Sequence, residues 1–207
     1  MIKTLIVEDQ RMIREMMESY IRSTSGYEVA GTLAGAAKAP GFCTGNDVDL
    51  VLMDVCTENG ESGFCAAERI KESHPSIKVI IVTSMLDAGY LDRARKAGAD
   101  SIWFKDRSKE ELMDVVRLTM EGKSVYPDRT PEVRIGDASS YDFTEAELKV
   151  LRLLVEGMSY NQMAQALGIS METVKTHVTN MLKKTGYSSK TKLAAMVMSN
   201  RLIVNGF

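Results

Sequence analysis

Three carboxylates in the first third of the chain stand at the ends of apolar runs. Glu8 and Asp9 follow Leu5-Ile6-Val7, and Asp54 follows Leu50-Val51-Leu52-Met53. Brought together, such groups repel one another unless a cation lies among them. An open, oxygen-only set suits Mg²⁺, which keeps several waters and recruits phosphate oxygens. A hydroxyl and a cation follow comparable runs further on: Thr83 after Val79-Ile80-Ile81-Val82, and Lys105 after Ser101-Ile102-Trp103-Phe104. Singly, each acid reads as a helix cap or a loop residue. Together, a carboxylate nucleophile, a metal-binding set, a hydroxyl donor and a cation are the equipment of phosphoryl transfer, where the protein mainly positions groups and neutralises charge on the phosphoryl oxygens. Asp54 is the candidate nucleophile, forming an aspartyl-phosphate.

A second set of residues addresses a different partner. After Glu172 there is no Asp or Glu, while Lys175, Lys183, Lys184, Lys190, Lys192 and Arg201 follow. Residues 1–120 carry 15 basic and 19 acidic side chains, 121–142 carry 3 and 5, and 143–207 carry 8 and 4, so a net charge of −2 conceals an acidic front and a basic tail. A basic run without acids suits a polyanion such as double-stranded DNA. Within 171–184, at about 100° per residue, Val174, Val178, Met181 and Leu182 form an apolar stripe. Glu172, Thr176, Thr179, Asn180 and Lys183 lie opposite, with Lys175 and His177 on the flanks. A two-faced helix is by default only a surface helix. Short polar side chains mixed with Lys shift that reading, because a major groove requires close approach and donors.

The elements that must position these residues are legible as alternating patterns. Ile2 to Val7, Glu28 to Thr32, Leu50 to Met53, Lys78 to Val82 and Ser101 to Phe104 read as strands, with helical patterns between and after them. The nearly all-apolar runs are those of parallel strands buried on both faces. Right-handed crossovers then predict an α/β unit, a five-stranded parallel, doubly wound sheet with helices on both sides, whose carboxyl edge gathers the acids. From Glu121 to Asp142, Gly122, Pro127, Pro131, Gly136 and Ser139-Ser140 break any period, which predicts a linker between a first domain at 1–121 and a second at 143–207. Thr144 with Glu147 forms a capping-box pattern, and four helices are expected at about 144–156, 160–167, 171–184 and 188–200. Gly168 permits the tight turn between the second and third, and Ser170 can cap the third.

Composition excludes other classes. The three cysteines, Cys43, Cys56 and Cys65, lack C-x-x-C spacing and suggest neither a disulfide framework nor a zinc site. The Met residues sit at helical spacing among Leu and Val, as core filler. No apolar run is long enough to span a bilayer and the N-terminus lacks the pattern of a secretory signal, so a cytoplasmic protein without membrane contact is expected.

Over residues 2 to 120 the motifs Ile6-Val7-Glu8-Asp9, Val51-Leu52-Met53-Asp54, Val82-Thr83-Ser84, Gly98-Ala99-Asp100 and Phe104-Lys105-Asp106 together resemble the receiver domains of response regulators. The resemblance implies the receiver strand order 2-1-3-4-5, and that Asp54 takes a phosphoryl group from a sensor histidine kinase. It also implies that Glu8, Asp9, Asp54 and the backbone carbonyl of Cys56 hold Mg²⁺, and that Thr83 and Lys105 contact the phosphoryl oxygens. The sequence departs from the family in three places. The loop after Asp54 lacks the usual Met-Pro and reaches its Gly, Gly63, one residue late; Ile102 stands where an aromatic switch residue is usual, beside Trp103 and Phe104; and Pro40-Gly41 shortens the second helix.

Over residues 143 to 200, Phe143-Thr144-Glu145-Ala146-Glu147, Gly157-Met158-Ser159-Tyr160, Gln162-Met163-Ala164, Leu167-Gly168-Ile169-Ser170 and Thr173-Val174-Lys175-Thr176-His177-Val178 resemble the LuxR-type helix-turn-helix of the NarL/FixJ family. That resemblance implies base reading by Lys175, Thr176, His177 and Thr179, with Asn180 among the DNA-binding residues. It further implies phosphate contacts from Lys183 or Lys184, and a homodimer formed in the active state through the last helix. The family's basic residue in the second helix is replaced by Asn161-Gln162.

Two readings follow. In the first, phosphorylation of Asp54 controls dimerisation and sequence-specific DNA binding. In the second, a degenerate receiver serves a regulator that works without phosphorylation; the inserted loop residue and Ile102 support it. The first is favoured because every group that touches the phosphoryl in the family is present. An enzyme is not expected: haloacid-type phosphatases place an acid two residues after the nucleophile, where this chain has Cys56, and no G-x-G-x-x-G follows the first strand.

Overall fold

The computed structural model describes residues 1–84, 89–105, 108–128, 130–200 and 202–203, so that Asp106 and Arg201 lie outside the described residues. The described residues fall into two compact units, one within 1–128 and the other within 130–203.

The first unit contains β1 (Ile2–Val7), α1 (Arg11–Arg22), β2 (Tyr27–Leu33), α2 (Ala39–Gly45), β3 (Leu50–Asp54), β4 (Cys56–Thr57), β5 (Glu61–Ser62), α3 (Gly63–Ser73), β6 (Lys78–Thr83), α4 (Gly89–Lys96), β7 (Ser101–Phe104) and α5 (Lys109–Met120). Five strands pair in parallel in the order β2-β1-β3-β6-β7, which is 2-1-3-4-5 once the short β4 and β5 are set aside. Leu50 to Met53 and Val79 to Val82 are wholly buried, the signature of strands covered on both faces. One face packs Ile6, Leu52, Ile80, Val82 and Trp103 against Met17 and Ile21 of α1 and Leu112 and Val116 of α5. Pro40 falls in the first turn of α2, which runs for seven residues after a 3-10 turn at Ala36–Lys38, the shortening expected of Pro40-Gly41.

Register decides which residues share an edge. Val7 lies beside Met53 and Thr83 beside Phe104, so the residues that follow β1, β3 and β7 emerge together with the end of β6. Below the sheet, Asp100 fastens β6 to the turn before β7. Its carboxylate accepts from Lys71 Nζ at 3.0 Å, Lys78 Nζ at 2.9 Å and Val79 N at 2.9 Å. Burial works against the charged form, but the hydrogen bonds from Lys78, Val79 and Lys71 prevail and hold the carboxyl below its usual range.

The second unit is built from a hairpin, β8 (Arg134–Ile135) with β9 (Ala138–Ser139), and four helices, α6 (Glu145–Val155), α7 (Tyr160–Leu167), α8 (Met171–Thr185) and α9 (Lys190–Ser199). Thr144, Ser159, Ser170 and Ser189 each cap a helix by accepting a backbone N–H three residues on. Ile135 and Ala138 of the hairpin join Val150, Leu151, Met163, Val174, Val178, Met181, Leu193 and Val197 in one core. The hairpin thus lies inside the stretch read from sequence as linker; strands of two residues are too short to show a period. Among the described residues no helix is long and apolar enough to cross a membrane.

Asp100→Asn is expected to lower the stability of the first unit at pH 7 by about 1–3 kcal/mol, the usual worth of hydrogen bonds to a charged group. Because the folded carboxyl is depressed, its contribution is present above the unfolded value of about 3.9 and is lost as pH falls through the folded value. Urea denaturation of both proteins at pH 7 and pH 3 checks this: the gap narrows at the lower pH.

Candidate functional site

Carboxylate oxygens of Glu8, Asp9 and Asp54 all lie within 4.8 Å of one another. Lys105 reaches in from the end of β7, its Nζ 2.6 Å from Glu8 Oε2 and 3.0 Å from Asp54 Oδ1, with all three side chains buried. The Lys105 backbone N–H donates to the Thr83 carbonyl at 2.9 Å, which places the buried Thr83 on the same edge. Burial pushes the Asp54 carboxyl up to about 7, with Lys105 opposing the shift and Glu8 adding to it. Glu8 Oε2 is close enough to Lys105 for an ion pair but is not aligned for a hydrogen bond. Three clustered carboxylates, one with a buried oxygen lacking a hydrogen bond, exceed what a single ammonium neutralises. That donor set of hard oxygens fits a divalent cation such as Mg²⁺.

The surrounding loops hold these groups in place. Val55 N donates to Asp54 Oδ1 at 2.8 Å, and Gln10 N donates to Glu8 Oε1 at 3.1 Å. Arg14, which the sequence reading passed over, donates from Nη1 to the Glu8 carbonyl at 2.5 Å. Its signal was a basic side chain in the first turns of a helix, where the dipole favours acids. The extra residue after Asp54 is absorbed by the β4 and β5 hairpin, whose turn takes positive φ at Asn59 and Gly60. Thr57 Oγ1 closes the hairpin on the Glu61 carbonyl and accepts from Ala36 N, while Glu61 Oε2 accepts from Ala37 N. Cys56 begins this hairpin half-buried, and its thiol is pushed up to about 12 by burial and by the nearby Asp54 and Asp9 charges. At the start of α3, Gly63 lies so close to Asp54 that an added Cβ would overlap the Asp54 carbonyl oxygen. Ile102, in the expected switch position, is buried.

In the second unit, α7 and α8 meet through a turn at Gly168, which has φ +66. On α8, Val174, Val178 and Met181 are buried, whereas Glu172, Thr176, Thr179, Asn180 and Lys183 are exposed, and Lys175 and His177 lie between. This is the division read from the sequence. Lys175 Nζ pairs with Glu172 Oε2 at 3.2 Å, and the Thr176 hydroxyl donates to the Glu172 carbonyl at 2.9 Å. Lys184 is engaged elsewhere: its Nζ sits 2.7 Å from Glu147 Oε2 and donates to the Asp142 carbonyl at 2.8 Å. Glu147 is buried and completes the Thr144 capping box, so Lys184 ties α8 to the start of α6.

Residues 4–117 match the family model of the response regulator receiver domain, and residues 142–197 that of bacterial regulatory proteins, luxR family. The chain is a response regulator. This response regulator is 35% identical over 210 residues to the response regulator protein VraR of Staphylococcus aureus (strain Mu3 / ATCC 700698), a match covering 98% of this chain and 99% of VraR. RcsB from Salmonella enterica serovar Typhimurium, solved bound to promoter rprA in the presence of phosphomimetic BeF3⁻, shares the fold with a TM-score of 0.63 at 18% identity, over 96% of this chain and 99% of that one. A LuxR-family two-component response regulator from Aurantimonas sp. SI85-9A1 aligns with a TM-score of 0.57 at 23% identity, over 61% of this chain and 89% of that one. The response regulator thus joins a receiver domain to a LuxR-type DNA-binding domain, and its buried acidic edge and its exposed α8 face belong to those two domains respectively.

Two substitutions probe these arrangements. Gly63→Ala forces the Asp54 carbonyl to move, and a loss of about 1–3 kcal/mol is expected from overpacking, read by urea denaturation. Lys184→Met strands a buried carboxylate, which costs up to about 3 kcal/mol for a partly exposed pair. A thermal midpoint several degrees lower for the second unit, followed by circular dichroism, is the expected result.

Proposed function

We propose that this protein is the output half of a two-component system, in which a sensor histidine kinase phosphorylates Asp54 and the phosphorylated protein binds double-stranded DNA as a homodimer to regulate transcription. The observation that carries this reading is Lys105 Nζ held within 3.0 Å of Asp54 and 2.6 Å of Glu8 at a buried sheet edge. The Asp54 carboxylate attacks phosphorus, the P–N bond of the kinase phosphohistidine breaks, and an acyl P–O bond forms. Lys105 and the Thr83 hydroxyl contact the new phosphoryl oxygens and offset their charge. Glu8, Asp9, Asp54 and the Cys56 carbonyl hold Mg²⁺, which neutralises charge on the phosphoryl group when bound. Arg14 and the β4 and β5 hairpin keep the acidic loops in place around it.

Binding to DNA uses the exposed face of α8. Lys175, Thr176, His177, Thr179 and Asn180 meet base edges, and Lys183 a phosphate. Lys184 supports that face through Glu147 and meets phosphate only with whatever donors the pair leaves over. Work in the cytoplasm, with neither membrane contact nor an enzymatic turnover of its own, accords with this role.

Phos-tag electrophoresis after incubation with acetyl phosphate and Mg²⁺ is expected to give a retarded band for the wild type and none for Asp54→Ala. An unshifted wild type would favour the regulator that works without phosphorylation, to which Ile102 and the lengthened loop lend support. DNA affinity is expected to fall steeply as salt rises, and the phosphorylated protein is expected to bind more tightly than Asp54→Ala at each salt concentration. Equal affinities would break the link between the two domains.

A further inference from the structure

The basic face of α8 carries one carboxylate, and attraction to a polyanion does not account for it. Glu172 is 78% exposed at the second position of α8, on the side that also presents Thr176, Thr179 and Lys183. DNA phosphates repel a carboxylate, so a helix shaped only for backbone affinity would exclude it. An acid in a first turn does favour the helix dipole. Glu172 Oε2 also lies 3.2 Å from Lys175 Nζ, one turn on along the same face, and its carbonyl takes the Thr176 hydroxyl. These contacts join an acceptor, a cation and a short polar side chain at the end of the helix that enters the groove in helix-turn-helix proteins.

An ionised carboxylate can only accept hydrogen bonds. In the major groove the donors are the amino groups of cytosine and adenine. Adenine presents its N7 acceptor beside the amino group, which repels a second acceptor, whereas the cytosine amino group has no such neighbour on its own base. The paired Lys175 supplies a donor next to Glu172, and guanine O6 and N7 are the acceptors that suit it.

We propose that Glu172 is a specificity-determining residue that accepts a hydrogen bond from a cytosine amino group, with Lys175 donating to a guanine beside it. This rests on the DNA-binding reading above and deepens it by naming a base. The charge of Glu172 also weakens binding to sequences without that cytosine, because the carboxylate then faces phosphates and base acceptors with nothing to accept from.

Selection of binding sites from random duplexes by the full-length protein treated with acetyl phosphate tests the proposal, with wild type, Glu172→Gln and Glu172→Ala run side by side. The wild type is expected to select a site with one cytosine fixed in each half. Glu172→Gln, whose amide matches adenine, is expected to change that position alone to adenine. Glu172→Ala is expected to lose preference there while keeping the others. Replacing the cytosine should weaken wild-type binding by about 5- to 100-fold and leave the Ala variant nearly unaffected, with thermal midpoints alike. Variants that keep the wild-type cytosine, or a wild-type site with no fixed cytosine, overturn the proposal. So does relaxation at every position together with a lowered midpoint, which marks a structural role. A wild type that selects no sequence refutes the DNA-binding reading itself.

Discussion

An ammonium buried between two carboxylates organises the first unit. Lys105 is almost wholly withdrawn from solvent, as are Glu8 and Asp54, so each charge has given up its hydration and depends on the others. Removing one partner leaves an uncompensated buried charge. Because the acids outnumber the cation, the cluster keeps a net negative charge even when folded, and this excess suits a divalent cation. Structural demand and chemical readiness therefore arise from the same imbalance.

The sheet makes that cluster affordable by bringing its members in on rigid strands. Asp54, Thr83 and Lys105 stand at or directly after the ends of β3, β6 and β7, and Glu8 follows β1, so parallel register alone delivers them to one edge. The fine adjustment falls to contacts of other kinds. Gly63 allows α3 to start against the Asp54 carbonyl, the hairpin at Cys56 to Ser62 takes up one residue more than the family pattern, and Arg14 pins the carbonyl of Glu8. Asp100, at the other end of β6, fastens Lys71 and Lys78 and keeps the strand from shifting along its neighbours.

A comparable division of labour runs through the second unit. Both Lys183 and Lys184 look available to DNA in the sequence, yet one is exposed on α8 and the other is folded back onto Glu147. A basic side chain whose partner is a buried capping carboxylate serves the scaffold, whatever else it meets. Glu172 makes the converse point: an acid on a basic face alters which sequences are accepted while adding nothing to general affinity.

The chain alone determined the five strands of the parallel sheet, the Thr144 and Ser170 caps of the second unit, the apolar stripe of α8 and the set of residues ending the strands, because each is written in periods and spacings of a few residues. Thr144 and Glu147, three apart, announce their own capping box. The tertiary structure alone decided that Lys184 serves Glu147, 37 residues away, that Gly63 must be small to clear Asp54, and that the stretch before Phe143 holds a hairpin packed into a core. The physical reason is range: dihedral preferences and side-chain periodicity act between near neighbours, whereas ion pairs and steric exclusion depend on which distant segments the fold brings within a few ångströms.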